Sequence, residues 1–133
     1  MIVVDASVWV RALIDSGPAG EAARRILTDD PDWLLPAHAP IEVLRTIRRH
    51  EMSGVIDSES AEAFASQVID AEIRCTAPDE ALLAEVWRYR HNLSAYDAPY
   101  VALATRHETA LITFDVRLAT AAKNLGAQVI IPE

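Results

Sequence analysis

The stretch IVVDASVWVRALIDSG, Ile2 to Gly17, changes its period at a single acid. Ile2, Val3 and Val4 form a β-branched run of the kind that lies buried in a sheet, and Asp5 closes it. Beyond Asp5 the apolar residues Val8, Trp9, Ala12 and Leu13 recur at helical spacing until Ser16 and Gly17 end the pattern. A strand that passes directly into a helix is the repeating unit of an α/β sheet. The rest of the chain repeats it.

GPAGEAARRILTDDP opens with turn residues and predicts a second helix, closed by Asp-Asp-Pro. DWLLPAH predicts a strand and PIEVLRTIRRHEMSG a helix, with Pro40 early and Gly54 just past the end. DSESAEAFASQVIDA predicts a helix, EIRCT a strand, and PDEALLAEVWRYRHN and SAYDAPYVALATRHE two more helices. ALITF is a strand, DVRLATAAKNLG a helix with Gly126 at its C-terminal stop, and AQVIIP a final strand. Without repeats or a linker, the alternation predicts one domain over residues 1–133, with a central parallel sheet of four to five strands between helical layers.

The 133 residues are 51% hydrophobic and 24% charged, the balance of a globular chain. No apolar run is long enough to span a bilayer and no basic leader precedes Ile2, so the expectation is a cytoplasmic protein without a membrane partner. Cys75, the single cysteine, excludes an internal disulfide and reads as an inert buried thiol. His38, His50, His91 and His107 lack the pair spacing of a zinc site. A net charge of −8 argues against a broad basic nucleic-acid surface. It leaves room for an enzyme whose acids gather around cations, because bound cations reverse the local charge.

In such sheets the working groups lie where strands turn into helices. Asp5 closes the first strand, Asp115 follows LITF, and Glu42 and Asp97 lie in first turns of their helices. Each has a purely local reading, as a cap or a partner of the helix dipole worth about 0.3–1 kcal/mol. Asp5 fits that reading least, since Ser7 is the better cap for the helix that follows. In SAYDAPY, Ser94 and Asp97 have capping-box spacing, but with Ser94 as the cap Pro99 would fall inside the helix. If the four carboxylates converge, each pair at 4 Å costs about 4 kcal/mol at an effective dielectric near 20, and the cluster requires cations. Oxygen ligands alone favour hard ions such as Mg²⁺ or Mn²⁺, which suit phosphodiester hydrolysis.

IVVDASVW, PIEVLRTIRR, LSAYDAPYVALA and LITFDVRLATAA, in this order and spacing, resemble the PIN-domain family, most closely its VapC branch of toxin ribonucleases from toxin–antitoxin pairs. The resemblance covers the whole chain and implies a three-layer α/β/α fold and a Mg²⁺-dependent endoribonuclease, with Mn²⁺ able to substitute. It places the acidic quartet, catalytic and metal-binding, on Asp5, Glu42, Asp97 and Asp115, and the supporting hydroxyls on Ser7 and Thr113. Water would attack phosphorus in line and leave a 3′-hydroxyl and a 5′-phosphate.

The resemblance further implies a VapB-type antitoxin as partner, RNA as substrate with transfer RNA the first expectation, and a homodimer that forms a heterotetramer or larger assembly with the antitoxin. Trp9 and Leu13 either line the antitoxin groove or, for Trp9, belong to the core. Arg45 and Arg49 share a helix face with Glu42 and read as RNA phosphate contacts or as a solvated salt-bridge face; Arg117 is a further candidate contact. An aspartyl phosphatase would want an acid where Ser7 stands. A phospho-receiver would want a lysine at a late strand end, and the only one, Lys123, falls in a predicted helix. A catalytically silent PIN-fold scaffold is the alternative that keeps the fold.

Overall fold

In the computed structural model, which describes all residues from Met1 to Glu133, five strands form one sheet. They are β1 (Ile2–Val4), β2 (Trp33–Pro36), β3 (Arg74–Thr76), β4 (Leu111–Ile112) and β5 (Val129–Ile130), ordered β3-β2-β1-β4-β5 and parallel throughout. Seven helices connect and cover them: α1 (Ala6–Ile14), α2 (Pro18–Asp29), α3 (Ala39–Met52), α4 (Ser58–Ile69), α5 (Glu80–Arg88), α6 (Ala98–Arg106) and α7 (Val116–Asn124). The predicted alternation, the parallel sheet and the three-layer architecture are all present. The strands are shorter than their sequence segments because the chain leaves the ladder early to enter each helix.

The strand order sets the position of the site. From β1 the chain builds outward through β2 to β3, then returns to place β4 on the other side of β1. Connections leaving β1 and β4 therefore diverge, and a crevice opens at the carboxyl ends of these two strands. Val4 is in register with Ile112, which brings Asp5 beside Thr113.

Helix α6 lies over β1, β2 and β4 with α5 against it, while α1 packs on α2 and α3, and α3 on α4. Every residue from Ala98 to Ala104 is buried, so APYVALA is apolar all round, as a helix on the sheet centre must be. The helix begins later than the sequence predicts. Residues 95–97 form a turn in which Ser94 Oγ accepts the Asp97 amide at 3.1 Å, and Pro99 falls in the first turn, where its missing N–H costs no helical hydrogen bond.

Two expectations are corrected. Cys75 is exposed, because β3 is a sheet edge, although partial burial still pushes its thiol pKa up and keeps it protonated. Ser7 is not the cap of α1: that position belongs to Asp5, and Ser7 lies within the first turn. Trp9 is buried, edge-on to Trp33 at 6.5 Å between ring centroids, and with Leu13 it also lines a hollow of about 580 Å³. No helix is long and apolar enough to cross a membrane.

The corner between α1 and α2 depends on Gly20, where an added Cβ would lie 1.8 Å from the Asp15 carbonyl oxygen. That oxygen already accepts from Arg24 Nη1 at 2.8 Å. Helix propensity alone would make Gly20→Ala stabilising by about 1 kcal/mol. The clash outweighs it, and a net loss of about 1–3 kcal/mol is expected. Thermal unfolding should show Tm lowered by several degrees; an increase would mean that the corner relaxes freely.

Candidate active site

Five helices carry an aspartate at the N-cap, and they divide into two kinds. Asp57 accepts the Ser60 amide at 2.7 Å, Asp79 the Leu82 amide at 2.7 Å, and Asp115 the amides of Arg117 and Leu118 at 3.0 and 3.1 Å. Asp5 and Asp97 hold the same position on α1 and α6 and cap nothing. A capping aspartate contributes about 0.5–2 kcal/mol. Both carboxylates withhold that contribution, and both face the same cleft.

Asp5, only 7% exposed, is held by two hydroxyls. Ser7 Oγ donates to its Oδ2 at 2.5 Å and Thr113 Oγ1 donates to the same oxygen at 2.8 Å. The direction of both bonds is fixed by what lies behind them. Ser7 Oγ accepts the Phe114 amide at 3.2 Å and Thr113 Oγ1 accepts the Asp115 amide at 3.0 Å, so each hydroxyl turns its single proton toward Asp5. Oδ2 is thereby saturated and Oδ1 has no protein partner. Burial pushes the Asp5 pKa up, the hydroxyls pull it back, and the charges of Glu42 and Asp97 push it up again. Asp97 is raised by burial and then by Asp115 and Glu42, with Arg117 acting in the opposite sense.

Glu42 enters from the first turn of α3. Its Oε1 accepts from Tyr100 Oη at 3.1 Å and lies 2.9 Å from His38 Nε2. The same nitrogen lies 2.9 Å from the Tyr96 carbonyl oxygen, and because both partners only accept, Nε2 carries the proton. The Glu42 hydrogen bond raises the His38 pKa. Tyr100 is fully buried, and burial together with Glu42 and Asp5 drives its pKa far up, so it remains a donor. Sequence reasoning missed both residues. Tyr100 reads as core on a buried helix, whereas His38 could have been found from its place one turn before Glu42.

Asp5, Ser7, Glu42, Asp97 and Asp115 line one cleft of about 550 Å³. Thr113 lies beneath it, fully buried. Arg45 and Arg49 line its far end with Arg11, and neither of the first two forms an ion pair. Arg117 lies apart, beside Asp97 in a smaller hollow. As the side chains stand, no three carboxylates or imidazoles come close enough to grip an ion. The donor set nonetheless fits Mg²⁺, which takes one or two carboxylates and keeps several waters. It consists of oxygens, one of them left over on Asp5, in a cleft where burial and neighbouring carboxylates raise the pKa of Asp5 and Asp97.

This crevice at the switch point of a parallel α/β sheet is lined by four acids from four connections. The PIN domain model matches residues 2–124, and the chain belongs to that family. Within it the relatives are VapC proteins: Ribonuclease VapC1 of Mycobacterium tuberculosis is 38% identical over 123 residues, covering 90% of this chain and 89% of that one. The crystal structure of M. tuberculosis VapC20, described as a toxin that cleaves the sarcin–ricin loop, superposes with a TM-score of 0.70 at 19% identity, over 91% of this chain and 95% of that one. A FitAB complex bound to a DNA fragment contains a chain that matches with a TM-score of 0.72 at 18% identity, over 99% of this chain and 95% of that one.

Proposed function

We propose that this protein is a divalent-metal-dependent endoribonuclease, the toxin of a VapBC-type pair. The observation that carries this reading is the pair of N-cap aspartates, Asp5 and Asp97, that cap nothing and share a cleft with Glu42 and Asp115. Asp5, Asp97 and Asp115, with Glu42 nearby, would hold Mg²⁺ or Mn²⁺ directly or through water. The ion supplies a Lewis acid for the phosphoryl group and lowers the pKa of water. Glu42, fixed by Tyr100 and His38, orients the attacking water, while Ser7 and Thr113 hold Asp5 in place and oppose the rise that burial imposes on its pKa. Arg45 and Arg49 receive the RNA phosphates running along α3, and Arg117 one near Asp97. In-line attack breaks the bond to the 3′ oxygen, leaving a 3′-hydroxyl and a 5′-phosphate.

The naming of VapC1 as a ribonuclease supports the substrate class. Transfer RNA is the first substrate to test. The partner is a VapB-type antitoxin with an apolar segment that occupies the hollow lined by Trp9, Leu13 and Trp33. A homodimer carrying two such segments is the expected assembly.

The deciding measurement is cleavage of structured RNAs, transfer RNA included, by the purified chain in EDTA and after Mg²⁺ or Mn²⁺ is returned. Cleavage is expected only with metal and should recover in full. Equal cleavage in EDTA would overturn the mechanism, and no cleavage of any RNA would favour the catalytically silent scaffold.

A further inference from the structure

Tyr96 precedes Asp97 and is 69% exposed, with its hydroxyl free of any hydrogen bond to the protein. Scattered apolar side chains on a surface require no explanation. This one is placed by the site itself. Its carbonyl oxygen is tied to His38 Nε2, and its ring meets the His38 ring edge-on at 5.7 Å between centroids. The His38 ring also meets the Tyr100 ring edge-on at 5.7 Å, so the imidazole touches both a buried tyrosine that serves Glu42 and an open one. One turn along α3 from His38, and one residue before Glu42, Ile41 is also 69% exposed.

The acidic cluster thus has two unlike flanks. Along α3 are Arg45 and Arg49, unpaired cations suited to a phosphate track. By the turn before α6 stands Tyr96, which offers no cation to a phosphate but a flat aromatic face to a base. A backbone seated between these flanks, with its phosphate at the acids, carries its adjoining base toward Tyr96. Aromatic rings recognise unpaired bases by stacking, and a paired base has no free face to give.

From this geometry we infer that Tyr96 is the stacking platform for an unpaired nucleobase beside the scissile phosphate, and so sets the preference for single-stranded RNA. The inference rests on the ribonuclease reading and names a specificity-determining residue for it. Stacking tolerates any base, so Tyr96 selects for strandedness more than for sequence.

The test uses a mixed-sequence single-stranded RNA with Mg²⁺, first to map the wild-type cut and then with an abasic residue placed on either side of it. Tyr96→Ala should lower kcat/KM on the intact strand by about 10- to 100-fold, and Tyr96→Trp should restore it. An abasic residue at the stacked position should cost the wild type a similar factor and cost Tyr96→Ala almost nothing. The Mg²⁺-induced rise in Tm of Tyr96→Ala should match that of the wild type, showing the acid cluster intact. Tyr96→Ala cleaving within twofold of the wild type, or equal abasic penalties in both proteins at both positions, overturns the stacking role alone. If the wild type cuts no RNA with Mg²⁺ or Mn²⁺, the ribonuclease reading itself falls and takes this role with it.

Discussion

Asp97→Asn is expected to abolish RNA cleavage while making the metal-free protein more stable. Asp97 is a half-buried carboxylate whose neighbours include Asp115 and Glu42, and its proton affinity is raised by burial and by both charges. Such a group binds its proton more tightly in the folded chain than in the unfolded one. Metal-free stability therefore declines as pH climbs from the ordinary value of 3.8 through the raised one, and the loss persists at neutral pH. Asparagine removes the charge at nearly constant shape. Tm without metal should rise at pH 7, by roughly 3 °C for each kcal/mol of repulsion relieved. Its decline with pH should also be shallower. Cleavage should fall by about 1,000-fold or more, equivalent to about 4 kcal/mol of transition-state stabilisation. The Mg²⁺-induced rise in Tm should shrink in parallel. A variant that is both stabilised and fully active would remove Asp97 from the metal centre.

Thr113→Val is the second large effect, and it acts on Asp5 without touching a carboxylate. The Thr113 hydroxyl donates to Asp5 Oδ2 and accepts the Asp115 amide, at a position with no solvent exposure. Valine keeps the shape and severs both links. The part-buried Asp115 amide loses its partner, at a cost of about 1 kcal/mol. Asp5 loses one of the two hydroxyls that oppose its desolvation, so its pKa moves further up. The Mg²⁺ concentration for half-maximal cleavage should rise about 10- to 100-fold, the range for loss of a group that orients a ligand. Thr113→Ser retains the hydroxyl and loses a methyl, and should cost stability with little change in metal dependence. Titrating cleavage against Mg²⁺ for both variants separates the outcomes. If valine and serine shift the metal dependence equally, packing rather than the hydroxyl supports Asp5.

Much of this arrangement is legible along the chain because its signals are local. The switch from β-branched run to helical period at Asp5 and the small apolar run of α6 are each written in about ten consecutive residues. The position of Pro99 is legible only in part: it makes Ser94 awkward as a helix start, and the structure resolves this by placing a turn ahead of Ala98. What the chain does not spell out is who sits beside whom. Cys75 reads as buried until β3 is known to be an edge, and strand order is not written in strand composition. Tyr100 reads as core because its one polar atom meets a glutamate 58 residues away. The two hydroxyls at Ser7 and Thr113 gain a role only by family resemblance, since nothing near either residue shows that both turn to the same oxygen.

The bond between Asp5 and Thr113 joins residues separated by 108 positions. At a synthesis rate of roughly 5–20 residues per second, the first acid leaves the ribosome about 5–20 s before the threonine that steadies it. Throughout that interval Asp5 has neither the Thr113 hydroxyl nor Asp115, for most of it no Asp97 either, and β1 has no complete β4 to pair with. A growing chain, or one cut short before residue 113, therefore carries the opening acid without a working centre. The centre therefore assembles only after β4 and the residues that follow it have been made, and the long-range bond to Thr113 is the last support that Asp5 receives.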